Sequence, residues 1–132
     1  MEKIIKDVID LLDARIDVIV QAEQTEPKEE DLNYIDGKKT VYIGFREALV
    51  MMWENYECKN DIEKRKTFLR YYMNLYRGRW DKYSYDCSYN NGRLLKSYGN
   101  GIYDKMRGRR DACSDLYHEL KRMLEVIPDA NL

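Results

Sequence analysis

The sequence predicts an all-α fold: one small helical bundle of four or five amphipathic helices, with residues 1–132 as a single domain. Three observations carry this expectation. Apolar residues recur at three- and four-residue spacing along most of the chain. Only two prolines, Pro27 and Pro128, interrupt it. With 132 residues, 44% of them hydrophobic and 36% charged, the chain can close one core, burying roughly two-thirds of its unfolded surface. The alternative to a fifth helix is a short β-hairpin near residues 83–98.

Residues 2–24 read as the first helix. Ile5, Val8, Leu12, Ile16 and Ile19 share one face, flanked by Ile4, Leu11 and Val18 on one side and by Ile9 and Val20 on the other. So wide an apolar arc predicts a helix packed on two sides, or a homodimer formed through this helix. Asp7, Asp10, Asp13 and Asp17 fall on the opposite face. They read as a solvated surface, or as a partner-facing stripe that imitates nucleic-acid phosphates. Arg15 lies inside the arc and has to snorkel or meet an acid across an interface.

Residues 25–39 read as a linker, because Pro27, an acidic run and Asp36-Gly37 all signal turns. Leu32, Tyr34 and Ile35 would pin it to the body. A second helix is expected over 40–57, with Thr40 as its N-cap. Val41, Phe45, Ala48, Met52 and Tyr56 line one face of it, Leu49 and Trp53 lie beside them, and Met51 and Met52 read as core.

Asn60 or Asp61 caps a third helix starting at Ile62, with Ile62, Leu69, Met73, Tyr76 and Trp80 facing inward. Gly78 either ends, bends or is carried within it. Residues 78–100 have two readings. Alternating Tyr83, Tyr85, Cys87 and Tyr89, then Asn90-Asn91-Gly92, make a hairpin. Trp80, Tyr83 and Cys87 equally fit a continuing helix, followed by a turn at 90–92 and a short second helix. The helical reading is preferred. Gly99-Asn100-Gly101 is a break, and residues 102–127 form the last helix on a stripe of Ile102, Met106, Cys113, Leu116, Leu120, Leu124 and Ile127. Pro128 ends it.

Composition excludes several classes of function. No apolar run reaches the roughly 18–20 residues that a membrane helix needs. The aspartates near the N-terminus break the plan of a signal peptide, so a cytoplasmic protein with no membrane partner is expected. Three scattered cysteines and one histidine give neither a disulfide framework nor a zinc site, and no metal or cofactor is expected. Ser114 lies one helical turn before His118, but nothing signals an orienting carboxylate or an oxyanion hole. The glycines around Asn100 and Gly108 lack phosphate-loop spacing. The chain therefore reads as not an enzyme.

Its distinctive feature is charge asymmetry. Met1–Glu63 holds 8 basic and 16 acidic residues, whereas Lys64–Arg122 holds 15 and 6, within a net charge of −1. The basic half is also rich in tyrosine. Lys66, Arg70 and Arg77 fall on one strip of the third helix. Arg107, Arg110 and Lys121, with Tyr103, fall on one strip of the last. Arg79, Lys82, Arg93 and Lys96 lie between them. Cations neutralise phosphates, and interleaved tyrosines such as Tyr71 stack on bases. The expectation is a non-catalytic binding or regulatory protein whose basic half contacts nucleic acid or a nucleic-acid-bound protein. The alternative is a small inhibitor or adaptor, of the mobile-element or phage type, occupying a charged groove on a larger protein. A third reading has the two halves neutralising each other.

Overall fold

The computed structural model describes residues 2–25, 28–55 and 61–127. The all-α expectation holds, and no strand occurs among the described residues. Four long helices make the bundle: α1 (Glu2–Thr25), α2 (Glu29–Glu54), α3 (Ile62–Ser88) and α5 (Ile102–Val126). Between α3 and α5 lie a 3-10 turn (Tyr89–Gly92) and a five-residue helix, α4 (Arg93–Ser97). The hairpin alternative over 83–98 is thus overturned. Cys87 is buried and Tyr83 packs against the core, so burial at helical spacing outweighs the alternating tyrosines.

The linker and the helix start at Thr40 are corrected as well, because α2 begins at Glu29. Glu29, Glu30 and Asp31 occupy its first turn, where carboxylates complement the helix dipole. Thr40 is interior, and its hydroxyl donates to the Asp36 carbonyl at 2.9 Å instead of capping. Gly37 sits mid-helix because α5 crosses there. A Cβ on Gly37 would overlap the Lys105 carbonyl, and one on Gly108 would overlap the Tyr34 carbonyl. The two glycines let the backbones of α2 and α5 touch.

One core cluster joins all four long helices. Ile5, Val8, Leu12 and Ile19 of α1 meet Tyr42, Phe45, Leu49 and Met52 of α2, Leu69 and Tyr76 of α3, and Cys113, Leu116 and Leu120 of α5. Phe45 is fully buried and meets Tyr76 edge-on, ring centroids 5.5 Å apart. Much of the wide arc of α1 is consumed here, with Ile4, Ile9 and Ile16 against the same cluster, while Val18 stays exposed. Arg15 finds its acid within the chain, pairing with Asp115 of α5, which also accepts from the Tyr42 hydroxyl at 2.8 Å.

Asp61 caps α3 by accepting from the Lys64 amide at 3.1 Å. Gly78 is carried within the helix. After Ser88, Asn90 (φ 47°), Asn91 (φ 57°) and Gly92 (φ 70°) all lie in the left-handed region. Asparagine tolerates that conformation. Gly92 is required twice over, since a Cβ there would also strike the Tyr103 ring. Tyr56, Asn60, Pro27 and Pro128, assigned to a face, a cap and breaks above, lie outside the described residues, as does the third cysteine, Cys58. No described helix is long and apolar enough to cross a membrane.

Candidate functional site

The cations of the basic half divide by whether a carboxylate holds them. Arg77 pairs with Asp81 (3.5 Å), Arg107 with Asp104 (3.6 Å), Arg110 with Asp111 (2.9 Å), and Arg122 with Glu119. Each of these acids belongs to the basic half itself. Between the halves, Lys105 reaches Asp36 at 4.0 Å, and Arg15–Asp115 runs the opposite way, its cation coming from the acidic half. Arg46 and Lys39 pair with Asp13 and Glu23 within the acidic half. Among the described residues, no ion pair engages Arg70, Arg79, Lys82, Arg93, Lys96, Arg109 or Lys121.

The antiparallel packing of α3 and α5 sorts the candidate residues along the bundle. At one end Lys66, Arg70 and Lys121 border a shallow pocket of about 390 Å³ with Met73, Leu124 and Ile127. Lys66 is only 2% exposed, which corrects its place on an open strip: its position faces the seam with α5. Arg107 and Arg110 do not join Lys121. They share a helical face with it, but 14 residues at 1.5 Å per residue separate Arg107 from Lys121 by about 21 Å. Helical projection reports angle and is blind to height.

Midway along, Arg77 lies over the rings of Trp80 (4.9 Å) and Tyr117 (5.4 Å). At the far end Lys96 lies over Tyr103 (4.6 Å), and Arg107 lies between Tyr34 (5.1 Å) and Tyr103 (5.8 Å). Tyr103 is therefore covered, packed between Gly92 and these two cations. Tyr71 is exposed, as are Lys82 and Arg93. Arg79 turns the other way, toward α2.

Beside this tip sits an aromatic cluster. Tyr85 and Tyr89 stack with centroids 5.3 Å apart and planes 20° from parallel. With Leu94, Leu95, Tyr98 and Asp86 they line a pocket of about 220 Å³. Tyr85, Tyr89, Leu94 and Tyr98 are all more than half exposed.

A polar clamp holds the Arg110 side. The Tyr34 hydroxyl of α2 donates to Asp111, which also accepts from Arg110. Burial and that hydrogen bond push Tyr34 up to about 12. Burial would lift the Asp111 carboxyl, but the bonds from Arg110 and Tyr34 outweigh it and hold it below its usual range. The same bond raises the Arg110 guanidinium. Arg110 is thus committed to structure.

Burial governs the two described cysteines. Burial pushes the Cys113 thiol up to about 12 against the opposing pull of Arg79 and Arg109, and it raises Cys87 too. Both lack the lowered pKa that a reactive cysteine needs. Nδ1 of His118 lies 2.7 Å from the Ser114 backbone carbonyl oxygen, not against the Ser114 hydroxyl. Its ring rests against Trp80 and Tyr117. No group of three or more metal-binding side chains occurs among the described residues.

Comparison with family models, with curated proteins and with solved structures finds no significant match. The residue the sequence reading missed is Arg109. Within Arg107-Gly108-Arg109-Arg110 nothing marks it out, because which arginine meets which neighbour depends on the α2–α5 crossing at Gly108.

Proposed function

We propose that this protein is a non-catalytic binding or regulatory protein whose basic, tyrosine-rich half contacts nucleic acid or a nucleic-acid-bound protein. The observation that carries this reading is the set of cations with no carboxylate partner among the described residues: Arg70, Lys82, Arg93, Lys96 and Lys121. With no carboxylate to neutralise them, these cations keep their charge available to phosphates. Exposed Tyr71, Tyr85 and Tyr89 supply flat faces for bases.

The test is fluorescence anisotropy of a labelled single-stranded oligonucleotide at increasing salt. Affinity should fall steeply, with each phosphate contact contributing about 0.7 to the slope of log K against log salt. Replacing Arg70, Arg93, Lys96 and Lys121 with Gln should flatten the slope. No binding at about 50 mM salt would end this reading.

The exposed Tyr85–Tyr89–Leu94–Tyr98 cluster favours a second reading, an inhibitor or adaptor seated on a larger protein. That reading expects a nuclease-resistant, stoichiometric complex that Tyr85→Ala and Tyr89→Ala disrupt. Self-association around exposed Val18 of α1 would show as a doubled mass in light scattering.

A further inference from the structure

A second, smaller site lies on the flank where α2 passes over α3 and α5. Its walls are Thr40, Val41 and Gly44 of α2, Tyr76, Arg79 and Tyr83 of α3, and Arg109 of α5, enclosing about 270 Å³. No carboxylate lines it. Arg79 and Arg109 reach it from different helices, and neither has an ion pair among the described residues. The Nε of Arg109 is buried and makes no hydrogen bond. Gly44 is an exposed part of the wall, and a Cβ there would meet nothing within 4 Å.

Two guanidiniums converging on one cleft repel each other, and a buried donor without an acceptor costs free energy. An anion between the two guanidiniums removes their repulsion. Guanidinium forks match the paired oxygens of phosphate, and two forks suit a dianion better than the single charge of a phosphodiester. The volume falls below the roughly 300 Å³ at which pockets for drug-sized ligands begin. The cleft suits one small group, with any remainder of the ligand outside its mouth beside Tyr83.

We propose that this cleft binds a terminal phosphate, as inorganic phosphate or as a phosphate monoester, between Arg79 and Arg109. The site stands apart from the surface proposed for nucleic acid: it faces α2 and uses none of Arg70, Lys82, Arg93, Lys96 and Lys121.

Calorimetric titration of the full chain with inorganic phosphate, at constant ionic strength in chloride, tests it. One saturable site is expected. Arg79→Gln and Arg109→Gln should each weaken it at least about tenfold, the effect of losing a charge-assisted hydrogen bond. Lys6→Gln on the remote face of α1 should leave it unchanged. Gly44→Glu places a carboxylate in the cleft. It should abolish phosphate binding and raise the thermal unfolding midpoint, which also reports that the variant folds. Absence of a saturable site, affinity equal to the parent's in the arginine variants, or full binding by the Gly44→Glu chain would overturn the proposal. Arg79 is exposed, so its variant carries the test even if Arg109→Gln fails to fold.

Discussion

Single atoms decide the geometry where α2 meets α5. Gly37 and Gly108 are each present because the opposite backbone carbonyl occupies the place of a side chain. Gly108→Ala should cost about 1–3 kcal/mol, the usual penalty of overpacking, and thermal unfolding would report it. A variant as stable as the parent would show that the crossing is looser than described. The sequence misleads here for a specific reason. Asp36-Gly37 is good turn chemistry, and glycine's two uses, positive φ and close approach, look the same until the neighbouring helix is in place. Asp61 was legible as a cap because capping is local: its acceptor and the Lys64 amide are three residues apart.

At the scale of elements, α3 runs unbroken from Ile62 to Ser88 through Gly78. Nothing lies within 4 Å of a Cβ placed there, so Gly78 contributes only backbone freedom to the unfolded chain. Gly78→Ala should therefore stabilise by about 0.5–1 kcal/mol, seen as a higher denaturant midpoint at unchanged m-value. A loss of stability would point to a bend in α3 at that residue. The continuity of α3 was readable from Trp80, Tyr83 and Cys87. The outward tyrosines Tyr85 and Tyr89 stack on each other at one helical turn's spacing, and the same spacing happens to mimic alternation with Tyr83 and Cys87.

For the whole molecule, charge is segregated, and among the described residues several cations of the basic half enter no ion pair. The two halves pack through apolar faces, and among the described residues Lys105–Asp36 and Arg15–Asp115 bridge them. Burial also makes the fold sensitive to alkaline pH. Cys113 is raised from 9.0 to about 12 and Tyr34 from 10.0 to about 12. Between the ordinary and raised values the unfolded chain releases protons that the folded chain keeps. Stability is thus complete below about pH 9 and declines as pH rises toward about 12. Urea midpoints at about pH 8 and about pH 11 measure this, and Cys113→Ser with Tyr34→Phe should flatten the decline. Asp111 gives the opposite edge: its lowered pKa contributes stability that disappears as pH falls below about 4.

The sequence alone determined the all-α class and the inward stripes of α1, α3 and α5, because 3.6-residue periodicity is a property of neighbouring residues, whereas the start of α2 at Glu29 and the outward turn of Met51 were not legible in it. It also determined the segregation of charge. Only the tertiary structure decided which cations meet acids, that Lys66 is buried, and that Lys121 joins Arg70 at the end away from Arg107. It alone brought Arg79 and Arg109 to one cleft. Those outcomes depend on the height at which two helices cross, which here is set by glycines touching carbonyls about 70 residues away in the chain, a separation no local pattern reports.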